Sequence, residues 1–212
     1  MSTDCDVSRL RSLLAPGLDQ LGLDASEAQC DKLIRFVCLL AHWNRAFNLT
    51  AVRNPPDMVP RHLLDSLVVN PFLFGPAVLD VGSGAGLPGI PLAILNPSRQ
   101  LVLLDSNGKK VRFMRQAAIE LGLTNVEAVH ARMESYRPKQ KFATIVSRAV
   151  ATLSWLSGAT GHLLAQPARL LVMKGHYPRD ELVALRPCSP EVHRLAVPFL
   201  GSERHLVEIR YD

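Results

Sequence analysis

Apolar residues follow one period in the first third of the chain and another in the rest. Up to about residue 73 they recur every three or four positions, as at Leu10, Leu13 and Leu14, which is typical of amphipathic helices. From residue 74 onward, short apolar runs alternate with helical segments, which is typical of an α/β fold with a parallel sheet. The pattern predicts a helical extension over residues 1–73 and an α/β core over residues 74–212, together forming one compact unit.

The α/β core begins with a strand that contains Val78 and Leu79. Because each of the following strands is joined to the next by a crossover, we expect a doubly wound sheet whose ligands bind at the carboxyl ends of the strands. Two final strands without a helix between them predict an antiparallel hairpin that closes the sheet. The later predicted elements are strands at Leu101–Leu104, Val126–His130, Phe142–Val146 and Leu170–Lys174, helices at Gly108–Leu121 and Leu153–Ala165, and hairpin strands at Val192–Val197 and His205–Arg210.

The composition is that of an ordinary globular protein. Of the 212 residues, 48% are hydrophobic and 20% are charged, and no apolar run reaches the roughly 18 residues of a membrane span. The N-terminus lacks the basic and apolar regions of a signal peptide, so we expect a cytoplasmic protein that does not bind membranes. The four cysteines show no C-x-x-C spacing, which predicts neither a metal site nor a disulfide framework.

Basic charge is concentrated after residue 31. The formal net charge is +5, but the first 31 residues hold six acidic and two basic side chains, so the rest of the chain carries +9. Lys109 and Lys110 open a predicted helix that also holds Arg112 and Arg115 with no acid between them. This run can be a solvated helix face or a set of phosphate contacts, and the basic chain around it favours a polyanionic partner.

Residues 77–89, AVLDVGSGAGLPG, join the first strand of the core to a helix. Gly82, Gly84 and Gly86 allow a ligand to approach bare backbone at a helix N-terminus, where unpaired amides can bind it. The same loop matches G-x-G-x-x-G, the dinucleotide fingerprint, and Asp105 ends the next strand, where a carboxylate can bind ribose hydroxyls. The loop therefore predicts a cofactor that contains adenosine.

Asp80 decides between two such cofactors. A dinucleotide would place a pyrophosphate dianion on this loop, and the carboxylate of Asp80 would repel it. S-adenosylmethionine instead brings an ammonium and a sulfonium, which the carboxylate would attract directly or through water. The sequence favours a methyltransferase over a dehydrogenase.

Three further segments are expected to border the same cleft. Met133 and Glu134 follow the third strand and are expected near the adenine, and Arg148 follows the fourth strand and is expected at the reacting end. His62 and Asp65 are spaced to lie on one face of a helix, which we expect to border the cleft as well.

Nine short motifs in a fixed order carry a family resemblance. They are Trp43-Asn44, Asn48-Leu49-Thr50, Arg61-His62, Asp65-Ser66, residues 80–90, Leu104-Asp105-Ser106, Ser147-Arg148-Ala149, Lys174-Gly175 and Glu203-Arg204-His205-Leu206-Val207. From about residue 33 to the C-terminus, the chain resembles the RsmG (GidB) family of bacterial small-subunit ribosomal RNA guanine-N7 methyltransferases.

The resemblance implies a Rossmann-like class I fold that binds S-adenosylmethionine and methylates N7 of a guanosine in the 530 loop of 16S rRNA. Together with the chemistry of the loop, the resemblance indicates these candidate cofactor-binding residues: Asp80, Gly82, Gly84, Gly86, Leu87, Asp105, Met133, Glu134 and Arg148. The candidate RNA contacts are His62, Lys109, Lys110, Lys174, Arg204 and His205.

Guanine N7 carries a lone pair that needs no deprotonation. We therefore expect direct in-line transfer without a covalent intermediate or an obligatory general base, and Arg148 is a candidate positioning residue rather than a catalytic one. The expected partner is 16S rRNA or the small ribosomal subunit, and we expect a monomer. An NAD(P)-dependent oxidoreductase and a basic RNA-binding module with a vestigial cofactor loop are the alternatives.

Overall fold

The computed structural model describes residues 5–148, 151–185 and 189–212. Ala149, the last residue of the motif Ser147-Arg148-Ala149, therefore lies outside the described residues. Within the described ranges, no helix has the length and apolarity that crossing a membrane requires.

The first part of the chain is helical. The helix α2 (Glu27–Phe47) begins with a capping box, in which the Ser26 hydroxyl accepts a hydrogen bond from the Gln29 amide and the Gln29 side chain accepts one from the Ser26 amide. α2 ends at Phe47, and the capping residue Asn48 that follows adopts a left-handed conformation. The helices are α1 (Val7–Gln20), α2 (Glu27–Phe47), α3 (Pro55–Met58) and α4 (Asp65–Leu67), with a π-helical turn at Val59–Leu64 and a 3₁₀ turn at Asn70–Phe72.

Within the described residues, seven strands, numbered β1 to β7 along the chain, form one sheet in the order β3-β2-β1-β4-β5-β7-β6. Strands β1 to β5 pair in parallel, whereas β7 is antiparallel to both β5 and β6, which confirms the parallel sheet with a closing hairpin. The strands are β1 (Ala77–Val81), β2 (Gln100–Asp105), β3 (Val126–His130), β4 (Phe142–Arg148), β5 (Leu164–Lys174), β6 (Glu191–Leu195) and β7 (Arg204–Tyr211). The helices of the core are α5 (Gly89–Leu95), α6 (Gly108–Glu120), α7 (Leu153–Thr160) and α8 (Arg179–Val183).

The sheet is covered on both faces. Val78 packs in a cluster with the helical extension, α5 and α6, while the adjacent Leu79 packs in a second cluster with α7. Both side chains are fully buried, as expected for a parallel strand between two helical layers. On the extension side, the ring of Phe113 in α6 lies 6.2 Å from that of Phe36 and 5.6 Å from that of Trp43. The helical extension is thus packed against the sheet, which brings its polar residues to the carboxyl ends of the strands.

One predicted helix boundary is wrong. The helix predicted over Leu153–Ala165 ends at Thr160, a 3₁₀ turn follows, and β5 already begins at Leu164. Short apolar runs fit a helix and a buried strand equally well, so periodicity could not separate them.

The expectation of no disulfide is also wrong. Cys5 and Cys38 form a disulfide with their Cα atoms 5.7 Å apart, which ties the residues before α1 to α2. The two cysteines are 33 positions apart, and their spacing carries no local signal of pairing.

Candidate active site

The loop between β1 and α5 presents its backbone through glycines. Gly82, Gly84 and Gly86 have φ angles of 68°, 58° and 77°, a region that other residues rarely adopt. A Cβ added at Gly84 would have no atom closer than the Gly82 carbonyl oxygen at 3.9 Å, whereas one at Gly86 would lie 2.4 Å from Cδ1 of Ile90. Gly84 therefore leaves space for a ligand, and Gly86 allows the loop to pack on α5.

Two buried carboxylates fix this loop. Asp105 Oδ2 accepts a hydrogen bond from the Gly84 amide at 2.9 Å, and Asp80 Oδ2 accepts one from the Gly89 amide at 2.9 Å. Asp80 is 1% exposed, and its Oδ1 has no hydrogen-bond partner among the described residues. Burial raises the pKa of Asp80 to about 7, although the Gly89 amide opposes this shift. An orphaned carboxylate oxygen beneath the loop fits a cationic ligand, which would stabilise its ionised form.

A cavity of about 950 Å³ opens above the loop, at the carboxyl ends of the strands. Its size is that of a small-molecule site. Asp80 and Gly86 are not among its lining residues: the carboxylate of Asp80 is buried against the Gly89 amide, and Gly86 is the part of the loop that packs on Ile90. The other predicted cofactor-binding residues line the cavity: Gly82, Gly84, Leu87, Asp105, Met133, Glu134 and Arg148.

The helical extension forms another wall of the cavity. As expected, His62 and Asp65 border it, and Thr50 and Arg61 lie beside them. The π-helical turn at Val59–Leu64 holds Arg61 and His62, and such turns are frequent at functional sites. Thr50 and Arg61 are part of the resemblance motifs but were not among the candidate site residues, because the helical period indicates neither the π turn that holds Arg61 nor the contact between Thr50 and His62.

His62 is buried and hydrogen-bonded at both ring nitrogens. Nδ1 lies 2.9 Å from the Arg61 carbonyl oxygen, which can only accept, so Nδ1 carries the proton and Nε2 accepts from the Thr50 hydroxyl at 2.8 Å. Burial and the nearby Arg148 lower the pKa of His62 to about 4. His62 is therefore a neutral residue in the wall of the cavity at neutral pH, and its predicted contact with RNA, which stays a prediction, would use a neutral imidazole.

The imidazole of His62 should titrate near pH 4 in the folded protein. Because the unfolded chain takes up this proton near pH 6.5, the contribution of His62 makes the protein less stable as pH falls from about 6.5 to about 4. A histidine-selective NMR titration measures the value directly, and His62→Gln identifies the resonance. Titration of that resonance near pH 6.5 would contradict the structure.

Asp65 joins two arginines at the far end of the cavity. Its Oδ2 accepts from Arg148 Nη1 at 3.0 Å and its Oδ1 accepts from Arg204 Nε at 2.7 Å. Arg148 also donates to the Arg61 carbonyl oxygen at 3.3 Å. The carboxylate side chain of Asp65 is only 5% exposed, so both guanidinium groups are held by a desolvated charge.

Two predicted RNA contacts are engaged elsewhere. Lys174 lines the cavity, but its Nζ lies 2.9 Å from both carboxylate oxygens of Glu181 and is ion-paired with them. His205 is 7% exposed, lies edge-on to Tyr177 and is not a lining residue. The two partners, Glu181 in α8 and Tyr177 just before it, lie outside the sequence motifs that contain Lys174 and His205, so the sequence does not show these contacts.

The closing antiparallel strand distinguishes this sheet from the 3-2-1-4-5-6 order of dinucleotide-binding folds. Two solved structures have a similar fold. A SAM-dependent methyltransferase from Aquifex aeolicus is 21% identical, with a TM-score of 0.54 over 73% of this chain and 93% of that one. A SAM-dependent O-methyltransferase from Thermotoga maritima is 13% identical, with a TM-score of 0.57 over 82% of this chain and 71% of that one.

Fold and site together define a Rossmann-like, S-adenosylmethionine-dependent methyltransferase, and the dinucleotide alternative is set aside. A model of the family described as rRNA small subunit methyltransferase G (GidB) matches residues 29–207. The ribosomal RNA small subunit methyltransferases G of Pseudomonas syringae pv. syringae and Nitrosococcus oceani are 51% and 47% identical, over 93% and 94% of this chain and of the relatives. The chain belongs to this family.

Proposed function

We propose that this protein methylates N7 of a guanosine in the 530 loop of 16S rRNA, within the small ribosomal subunit or its rRNA, in the cytoplasm. The family and the names of its relatives support methylation of small-subunit rRNA. The target guanosine and the N7 position are what the family resemblance implies, and the chemistry of the cavity supports a mechanism without a base.

The far end of the cavity offers no free general base among the described residues, and this observation carries the proposal. Both ring nitrogens of His62 are engaged, and the carboxylate of Asp65 is bound by two arginines. No cysteine of the described ranges lines the cavity. Such a site suits an acceptor whose lone pair reacts without prior deprotonation, and it favours in-line transfer without a base or a covalent intermediate.

The cofactor would lie along the loop between β1 and α5. Asp105 would bind the ribose, Met133 and Glu134 would border the adenine, and Arg148 would hold the cofactor carboxylate beside the acceptor. Asp80 would act from beneath the loop, through its charge and its bond to the α5 amide. S-adenosylmethionine supplies the electrophilic methyl group on its sulfonium; the protein supplies position and exclusion of water.

Lys109 and Lys110 are proposed phosphate contacts at the start of α6. Lys110 lines the cavity and Lys109 is exposed beside it. Replacing both with alanine should lower the slope of log affinity for rRNA against log salt by roughly two, because each phosphate contact releases about one counterion.

The control for this measurement is a variant that removes two charges from the helical extension, Arg9→Ala with Lys32→Ala, which lie on α1 and α2. It should leave the slope unchanged. An equal change in both double variants would mean that the salt dependence reflects net charge and not these two lysines.

Methyl transfer from radiolabelled S-adenosylmethionine tests the proposed function. The acceptors are small-subunit particles from cells that lack this protein, with large-subunit particles as the matched control, and labelled nucleosides are identified after digestion. We expect label in 7-methylguanosine from the small subunit alone. Binding of rRNA without any label would favour the RNA-binding module, and label in another nucleoside would overturn the proposed chemistry.

A further inference from the structure

Arg204 has an unused donor at the far end of the cavity. Its Nε donates to Asp65 Oδ1 at 2.7 Å, and its Nη1 donates to the Glu203 carbonyl oxygen at 2.8 Å and to the Ser202 hydroxyl at 3.2 Å. Its Nη2 has no partner in the part of the chain that the structure describes. Arg204 lines the cavity with a side chain that is 24% exposed. One nitrogen of a fixed guanidinium is therefore available to a ligand.

Asp65 holds the Arg204 guanidinium in place and is itself held by a second arginine. Each of its carboxylate oxygens takes one arginine, Arg204 on Oδ1 and Arg148 on Oδ2, and the carboxylate is almost fully buried. A planar guanidinium with two of its three nitrogens bound has little freedom to turn. The free nitrogen of Arg204 is thus held in a defined direction.

The strand order places Arg204 away from the cofactor loop, on the side of the cavity where the methyl acceptor would bind. Arg148 ends β4, which pairs with β1 and its glycine loop, whereas Arg204 begins β7, two strands beyond β4. Three spacings of about 4.8 Å separate the backbone of β7 from that of β1, or about 14 Å. Arg148 lies between them, where the cofactor and the acceptor would meet.

We propose that Arg204 is a specificity-determining residue that donates to O6 of the target guanine, and that Asp65 is the positioning residue that holds it. This inference rests on the proposed function. Guanine presents an acceptor at O6, whereas adenine presents an amino group there, which would face the arginine donor to donor. A single free nitrogen binds O6 and leaves the N7 lone pair open to the methyl group.

The test compares two target bases in reconstituted small-subunit particles. One set carries guanine at the target position, and the other carries 2-aminopurine, which keeps N7 but lacks O6. For Arg204→Met we expect kcat/KM for guanine to fall about 10-fold to 100-fold, while kcat/KM for 2-aminopurine stays within about twofold. The ratio of kcat/KM for guanine to kcat/KM for 2-aminopurine is compared between wild type and variant, so the different intrinsic reactivities of the two bases cancel.

Three further variants separate recognition from folding. Asp65→Asn should lower the guanine to 2-aminopurine ratio through Arg204 without touching the base, and Arg204→Lys keeps a cation beside Asp65 if Arg204→Met is unstable. Arg169→Met removes another partly buried arginine, paired with Glu208 outside the cavity, and should leave the ratio unchanged. Melting temperature and S-adenosylmethionine affinity report the fold of each variant.

Equal losses on both bases would overturn the inference, since Arg204 would then only support the fold. The inference would also be overturned if the wild type labels guanine but none of the variants changes the ratio of kcat/KM for guanine to kcat/KM for 2-aminopurine. That result would leave the proposed function intact. A wild-type protein that labels neither base would overturn the proposed function itself.

Discussion

Asp80→Asn is expected to weaken S-adenosylmethionine binding by roughly 100-fold, because it removes a buried negative charge beneath a cationic ligand. The pKa of Asp80 is about 7 in the free protein, so cofactor binding should release a proton near neutral pH. Since the cation favours the ionised carboxylate, wild-type affinity should rise as pH increases from about 6 to 8. Titration calorimetry in buffers of different ionisation enthalpy measures both the cofactor affinity and the number of protons released on binding.

The variant keeps an oxygen for the Gly89 amide, so it tests the charge and not the shape. Its affinity should not change with pH over the same interval, and binding of rRNA should be unaffected. The stability of the empty protein provides an independent check. Asp80 holds a proton in the folded state that the unfolded chain releases near pH 3.8, so its contribution to stability declines as pH rises from about 4 to about 7.

The difference in unfolding free energy between wild type and Asp80→Asn should follow that decline. This difference also removes the contribution of His62, which has the opposite sign between about pH 4 and 6.5 and is common to both proteins. Wild-type binding that is independent of pH from 6 to 8, with an unchanged affinity in the variant, would remove Asp80 from the site.

Gly86→Ala is expected to lower the free energy of unfolding by roughly 3 kcal/mol. About 1–2 kcal/mol comes from a side chain at a φ of 77°, and overpacking against Ile90 adds about 1–3 kcal/mol. Urea denaturation measures the loss. Cofactor affinity should fall as well, because relief of the contact moves the loop that carries Gly84.

Gly122→Ala is the matched control for backbone strain. Gly122 has a φ of 60°, but a Cβ there would have no heavy atom within 4 Å, so only the cost of the left-handed conformation applies. We expect a loss of about 1 kcal/mol and normal cofactor binding. Equal losses in the two variants would mean that Gly86 is required for its φ alone and not for close packing.

The sequence predicted the parts of the fold that local patterns determine. Alternating apolar runs predicted the parallel strands, and three glycines after β1 predicted the ligand loop. Asp105 followed from its place at the end of β2. These features depend on residues that are close together in the chain, so their chemistry is visible without the tertiary structure.

Contacts between distant segments could not be predicted in this way. Asp65 binds Arg148 and Arg204, which lie 83 and 139 positions further along the chain. Asp80 was predicted to attract the cationic ligand directly or through water, but its bond to the Gly89 amide and its place outside the cavity lining were not visible in the sequence. Burial shifts the pKa of Asp80 and of His62, and ion pairs determine the partners of Asp65 and Lys174; neither effect is a property of spacing.

The central claim is methylation of one guanosine at N7, and mapping the modified position tests it most directly. N7-methylguanosine is cationic, so borohydride reduction followed by aniline cleaves the RNA chain at that nucleotide. Incubation of small-subunit particles with the protein and S-adenosylmethionine should produce one new cleavage, at a guanosine of the 530 loop, and omission of the cofactor should abolish it. Methyl incorporation into 16S rRNA without cleavage in that loop would contradict the account.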